Sequence, residues 1–436
     1  MGNEIENIWL IVNISIWILL LFHFWKQERT FSANILILCS YLGYSIVSLL
    51  YYNESYPRYQ GIWLFPFLFQ TMMVLIALRP VTNYCKYRVN TIIKPNDRSV
   101  LLFLGIFVIC SLYTLIISLP KLQTGLILLI LDVDAGQDLY GDAMAEASDI
   151  GNGTSIMNLP IVFSNVFGEV GLLLICYYFT RSKINKYYAI LLVVSLLSPI
   201  FNAVAGGHRG MAIDRIYTIV VTFFLFRPFF SSKIIKIAKI GALVLFSVIF
   251  VFIASITVSR FGQQSDERMN ESLHEYVGMQ NLQFNLYAFD NNGLRYGDRT
   301  APIFKRMLGF ENVPHNFTER RSKYPHLKTD DYDFIGFVGD FCLDFGPIVS
   351  FLLFVIFSSL FCIKTRSRNG EIELHKLLLI QFAACVCMCG GLSLFSFADL
   401  KNLNIIAIFI SYLFLKYTSQ HNIILKKTIN TPIENC

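Results

Sequence analysis

The feature that most constrains this chain is a series of apolar segments, each about 20 residues long and nearly free of charge. Segments of that length cross a hydrocarbon layer roughly 30 Å thick, and a soluble core has no use for so many of them. Only 15% of the 436 residues are charged while 55% are hydrophobic, whereas soluble domains carry about a quarter charged residues. The sequence therefore predicts an all-α polytopic integral membrane protein. Spans are expected at about 6–25, 33–52, 61–78, 99–119, 159–179, 187–205, 211–229, 234–258, 335–363, 373–395 and 402–419. No small-residue cleavage site follows the first, which is read as an anchor that stays.

The short loops alternate in charge. Lys26 and Arg29, then Arg79 to Arg98, Arg181 to Lys186, Arg227 to Lys239 and Lys364 to Lys376 form basic groups after every second span, and Lys426 and Lys427 follow the last. The intervening short loops hold few basic residues, among them Arg58, Lys121 and Lys401. The positive-inside rule then sets the amino terminus outside and the carboxyl terminus in the cytoplasm, with about 11 spans. The formal charge of +6 is accounted for by these loops and requires no nucleic acid. The stretch "LQTGLILLIL", 122–131, stands apart as a re-entrant or interfacial candidate.

Three regions follow: 1–258 with eight spans and an acidic outer loop at 132–158; a large outer loop at 259–333; and 334–436 with three spans and a cytoplasmic tail. Within the large loop, "SLHEYVGMQNLQFNLYAF" has the periodicity of an amphipathic helix. Long structured loops on one face commonly carry function. The ten cysteines fall mostly inside apolar segments and read as packing residues.

Two motifs place charge where a membrane protein can use it only in a polar site or with a partner. "NAVAGGHRGMAID", 202–214, sets His208 and Arg209 between two apolar runs, with Asp214 and Arg215 inside the second. His208 and Arg215 are seven apart and share a helix face. Glycines beside permanent cations suit an anion at headgroup depth, such as a lipid-linked pyrophosphate. Interfacial anchoring of Arg209 and snorkelling of Arg215 is the plain alternative. The second motif runs from Arg306 into the ninth span. Arg306, Arg320 and Asp344 are substrate-binding candidates, and His315 and His326 can exchange protons near neutral pH. Asp340 and Asp344 are four apart, on one face of the span's outer end, with Asp344 taken as support for that end. Tyr287, Tyr324 and Tyr332 are candidates to line a sugar groove. The "DVD" at 132–134 lacks both a nucleotide-sugar transferase domain and the full calcium-loop pattern. No metal site and no cofactor is expected.

"AGGHRG" at 205–210, "DFCLDFGPI" at 340–348, ten or more spans and a large outer loop late in the chain resemble the oligosaccharide repeat-unit polymerases of the O-antigen (Wzy) type. The resemblance implies a membrane-embedded C-type glycosyltransferase in the bacterial inner membrane. Such an enzyme transfers a growing glycan from its undecaprenyl pyrophosphate onto the incoming lipid-linked repeat, with inversion and without a metal. It implies a lipid bilayer and a lipid-linked oligosaccharide as partners, and a chain-length regulator beside them. Arg209 matches the family's donor-side arginine by motif and Arg306 by position; His315 and Asp340 are the base candidates, chosen on chemistry. An O-antigen ligase-like transferase shares this architecture. A lipid-oligosaccharide flippase is disfavoured by the large loop and the lack of an internal repeat.

The charge pattern makes a topological prediction. Reporter fusions after Arg88, Lys183 and Arg366 should report cytoplasm, and fusions near Asp142 and Arg295 the outside. A cytoplasmic signal from Arg295 would reverse the map and remove the loop from the side on which lipid-linked repeats are polymerised.

Overall fold

A computed structural model describes residues 3–87, 89, 91–131, 158–205, 209–243, 247, 266–331, 333–367, 370–392 and 397–426. The described chain is mostly helical. Among the described residues, seven helices are long and apolar enough to cross a membrane: α1 (Glu4–Glu28), α2 (Ala33–Glu54), α3 (Leu64–Lys86), α4 (Asp97–Leu131, through Pro120), α7 (Lys186–Ala205, through Ala203), α12 (Gly336–Lys364) and α14 (Asp399–Thr418). An eighth arises if α5 (Leu159–Val166) and α6 (Gly168–Phe179), bent by 65° at their junction, form one span. Two further helices match expected spans without meeting the same measure. The first, α8 (Arg209–Phe226), carries three charges, and α13 (Leu374–Gly390) has only 17 residues. At 234–258, helix is seen over 232–243, and most of the remainder lies outside the described residues, as do 132–157 of the acidic loop.

The chain forms two compact units. The first comprises Met1–Tyr87, Asp266–Arg366 and Leu379–Phe409. Its opening helices are started by side chains: Asn3 accepts from the Ile5 N–H and Ser32 from the Ile35 N–H. Trp17 stacks on Tyr41 at 5.0 Å, and Asn13 donates to Ser45 at 3.1 Å, joining α1 to α2. The buried Glu6 accepts from the Tyr52 hydroxyl and from the Gly61 N–H. The start of α1, the end of α2 and the turn before α3 are thereby gathered at one end of the unit.

The large loop is folded, and it docks on this same end. Its first element, α9 (Asp266–Gln283), confirms the helix read from periodicity. It lies against the last turns of α2, with His274 on Glu54 and Ser48 bonded to both Gly278 and Asn281. Glu275 pairs with Arg58 at 2.8 Å. A π-helical turn, Phe284–Ala288, follows, and its Asn285 exchanges two hydrogen bonds with the Trp63 backbone. Two short helices, α10 (Pro302–Met307) and α11 (Phe317–Lys323), complete the loop.

The second unit comprises Arg88–Ser265, Ser367–Leu378 and Ile410–Cys436. Here α4 packs on α7 through bonds from Ser198 to the Ser111 carbonyl and from Ser118 to Asn202, both 2.9 Å. The piece at 122–131, read as re-entrant or interfacial, is helix that continues α4 past Pro120. The mostly helical fold carries one small sheet. β1 (Thr91–Pro95) pairs parallel with β2 (Glu371–Glu373) and antiparallel with β3 (Ser419–Lys426). These segments lie beyond apolar runs, where strand ladders satisfy backbone groups that no helix claims.

Close approach of α9 and α2 depends on Gly278. A β-carbon there would stand 2.8 Å from the Val47 carbonyl oxygen and 3.0 Å from the Ser48 nitrogen, both backbone atoms that cannot turn aside. Gly278→Ala should destabilise the purified protein by about 1–3 kcal/mol. Thermal unfolding combined with limited proteolysis of the loop measures this; unchanged melting and protection would show that the two helices have room to separate.

Candidate functional site

The motif "DFCLDFGPI" is where α12 breaks. Gly346 takes φ 78° and ψ 161°, a conformation outside the helix that glycine alone adopts freely, and Pro347 restarts the helix after it. The turn of helix before the break carries Asp340 and Asp344 on one face. Opposite them runs the segment 290–300, rich in turn residues. Asn292, Tyr296 and Gly297 have positive φ, and the Arg295 N–H bonds the Leu343 carbonyl at 2.9 Å.

This backbone delivers Arg295 and Arg299 onto the two aspartates. Arg295 Nε lies 2.9 Å from Asp344 and its Nη2 3.5 Å from Asp340, while Arg299 Nε lies 2.8 Å from Asp340. A third carboxylate, Asp331, receives Arg295 at 2.6 Å, Arg299 at 3.3 Å and also Arg320. The side chains of Arg295, Asp340 and Asp344 are 3%, 0% and 0% exposed. Asp344 also accepts from the Thr300 N–H at 2.7 Å. Burial by itself would raise the pKa of Asp331, but Arg299, Arg295 and Arg320 outweigh it and hold the carboxyl down at about 2.

A fourth buried carboxylate lies alongside. Asp298 accepts from Lys305, from Lys323 at 2.6 Å and from the Tyr324 hydroxyl at 2.7 Å. Burial opposes its ionisation, yet the two ammonium groups and the phenol keep its pKa below the ordinary value. Asn402, in the first turn of α14, accepts from the Ile303 N–H and donates to the Thr300 carbonyl. Arg306 pairs with Asp399, the first residue of α14. The loop is thus bonded to the starts of two apolar helices.

Above this foundation opens a cleft of about 460 Å³, lined by Arg306, Phe310, Asn312, Pro314, His315, Glu319 and Lys323 among others. His315 is exposed, its backbone N–H fixed by Glu319 at 2.7 Å. The same carboxylate caps α11 together with Asn316. Lys323 donates to the Asn312 carbonyl at 2.8 Å while holding Asp298. The cleft therefore presents a guanidinium, an ammonium, an imidazole and an aromatic face together, which suits an anionic or sugar-bearing ligand.

Of the residues singled out in the sequence, Arg306 and His315 meet in this cleft. Asp340, Asp344 and Arg320 meet beneath it in the ion-pair network, so Asp344 is held by the loop and does not cap its own helix. Arg209 begins α8, its side chain outside the description, and His208 lies outside the described residues. Arg215 belongs to the second unit, beside Gly168. His326 is exposed and edges onto Tyr324. Tyr324 is committed to Asp298 and Tyr287 to the Arg58 carbonyl at 3.0 Å; Tyr332 lies outside the described residues. Sequence reasoning missed Arg295, Arg299, Asp298 and Asp331. The available signal was the matched spacing of Arg295 and Arg299 with Asp340 and Asp344, four residues in each case.

The network fixes an acid limit for the loop. A carboxyl whose folded pKa is depressed stabilises the fold above its unfolded value of 3.8, and that contribution is lost as pH falls toward about 2. Protection of the loop against pepsin should therefore persist at about pH 4 and fail on approach to pH 2. Asp331→Asn strands three arginines and should cost about 3–5 kcal/mol at neutral pH. Neutral stability within about 1 kcal/mol of wild type would mean that the arginines find other partners.

Comparison with protein-family models, with curated proteins and with solved structures gives no match.

Proposed function

We propose that the protein is a polysaccharide polymerase of the O-antigen type, a metal-independent glycosyltransferase acting on undecaprenyl-pyrophosphate-linked repeats. The observation that carries the reading is the cleft: Arg306, His315 and Lys323 converge there, beside the first turn of an apolar helix able to cross a membrane. A lipid-borne substrate carries its pyrophosphate at that depth, with its sugars outside the membrane. The full reading includes 11 spans in the bacterial inner membrane, a periplasmic amino terminus and a cytoplasmic carboxyl terminus. Docking of the large loop on the end of the unit that holds the start of α1 supports a shared side for the two.

Chemistry follows from the groups present. The bond between the donor sugar's anomeric carbon and the pyrophosphate oxygen breaks, and a bond from that carbon to the acceptor hydroxyl oxygen forms. The hydroxyl proton passes to His315. Charge develops on the departing pyrophosphate, and Arg306 stabilises it as a metal would. Of the two base candidates, His315 is open to a ligand, whereas the Asp340 carboxylate is buried between two arginines. Asp340, Asp344 and Arg320 hold the platform.

The test uses the full-length protein in liposomes with lipid-linked repeat units and excess chelator. Wild type should form polymer. His315→Ala and Arg306→Ala should each slow it by about 100- to 1000-fold. Arg306→Lys should restore little, since the bidentate fork is lost. Asp399→Ala breaks the same ion pair but leaves the cation, and should retain most activity. No polymer from wild type, or full polymer from His315→Ala and Arg306→Ala, would overturn the proposal.

A further inference from the structure

The helix α10 ends in a turn that exposes apolar side chains in a fixed arrangement. The Phe310 N–H bonds the Lys305 carbonyl and the Gly309 N–H bonds the Arg306 carbonyl. Gly309 has φ +83°, the left-handed geometry of a Schellman cap. The Lys305 ammonium, drawn inward to Asp298, lies 5.6 Å from the centre of the Phe310 ring. The cap therefore holds its shape, yet Met307 is 71% exposed, Leu308 77% and Phe310 57%. Nothing in the described first unit covers these three side chains. A rigid, solvated knob of methionine, leucine and phenylalanine at one loop tip is costly in water.

Its position indicates what covers it. Arg306, the residue before Met307, touches Asp399 at the very start of α14. Ile303, one turn earlier, is bonded to Asn402 in the same first turn. Next to Asp399, Leu400 is itself exposed. The knob thus stands at the height where an apolar helix able to cross a membrane begins. At the start of α3, on the end of the unit to which the loop is docked, Trp63 and Phe65 are exposed and stack at 5.7 Å. Aromatic and apolar residues at such a level sit at the border of headgroups and acyl chains. Both neighbouring cations are already paired within the fold, so the attraction is to the apolar border and does not depend on anionic lipid.

We infer that Met307, Leu308 and Phe310 form an interfacial anchor that inserts into the bilayer surface beside α14. Insertion fixes the depth of the adjoining cleft, since Phe310 belongs to both. The inference rests on packing and exposure alone and stands whether or not the protein is a polymerase.

Leu308→Trp and Met307→Trp, each in the full-length protein, test it. The proteins are reconstituted in phosphatidylcholine bilayers with bromine at the 6,7 or the 11,12 positions of the acyl chain. The added tryptophan is read as the difference in emission from the unsubstituted protein. Its emission should be blue-shifted, at least twofold more quenched by the 6,7-bromines than by the 11,12-bromines, and insensitive to aqueous iodide. The same result in neutral bilayers and in bilayers with anionic lipid is expected. Quenching by iodide without quenching by bromolipid, in both variants, would place the knob in water and overturn the inference. Protection from both quenchers would place it against protein, a second copy of the chain included, and would overturn it equally.

Discussion

Burying a guanidinium or a carboxylate away from water costs several kcal/mol per ion even after the surroundings relax, and only close, well-directed partners offset it. The first unit accepts that cost six times in one place. Arg295 contacts Asp331, Asp340 and Asp344, and Arg299 and Arg320 close the remaining sides. The charges balance, so the cluster as a whole needs no outside counter-ion. Removal of a member, however, leaves its direct partners short of a buried counter-charge. The sequence separations are long: Asp344 lies 44 residues from its backbone partner Thr300, and Asp340 45 from Arg295. An arrangement of this kind is satisfied only when the loop is folded onto the start of α12, which makes folding of the loop nearly all-or-none.

The cleft inherits its shape from this cluster and the one beside it. Lys323 reaches Asp298 and the Asn312 carbonyl at once, so the foundation and the rim share a side chain. Arg306 is held by Asp399 and by the Pro314 carbonyl at 3.3 Å. A site whose cations are already oriented loses little on binding, and the water that it must shed is limited by the pairs already made. The same pairing sets a limit: an anionic ligand must compete with Asp399 for Arg306. That competition is why removal of Asp399 is expected to be tolerated where removal of Arg306 is not.

Apolar runs were legible because hydropathy is local. Seven of the expected spans appear as helices of sufficient length and apolarity, and the helix at 266–283 follows from its period. "DFCLDFGPI" was legible as a motif but not in its role. Spacing on one helix shows that Asp340 and Asp344 share a face; it does not show that the face looks onto Arg295 and Arg299, because those arginines lie in turns with no period of their own. The same gap hid the small sheet. β1 and β2 pair from residues 91 and 371, and neither strand is long enough to carry an alternating pattern. Long-range pairing of charges and of short strands leaves almost no local trace.

The charges one turn into α8 have a physical account of their own within the second unit. Between α5 and α6 the helix breaks with a bend of 65° at Phe167 and Gly168. Arg215 approaches this break: its Nη1 lies 3.1 Å from where a Gly168 β-carbon would stand, and with Phe107, Ser195 and Thr218 it lines a small cavity of about 20 Å³. Gly168 is the residue that leaves room for this approach. Arg215 is thus packed inside its own unit, beside Gly168. Arg209, six residues earlier and nearly two turns nearer the end of the helix, has no such account, and the weight of the donor-side assignment in this motif rests on it alone.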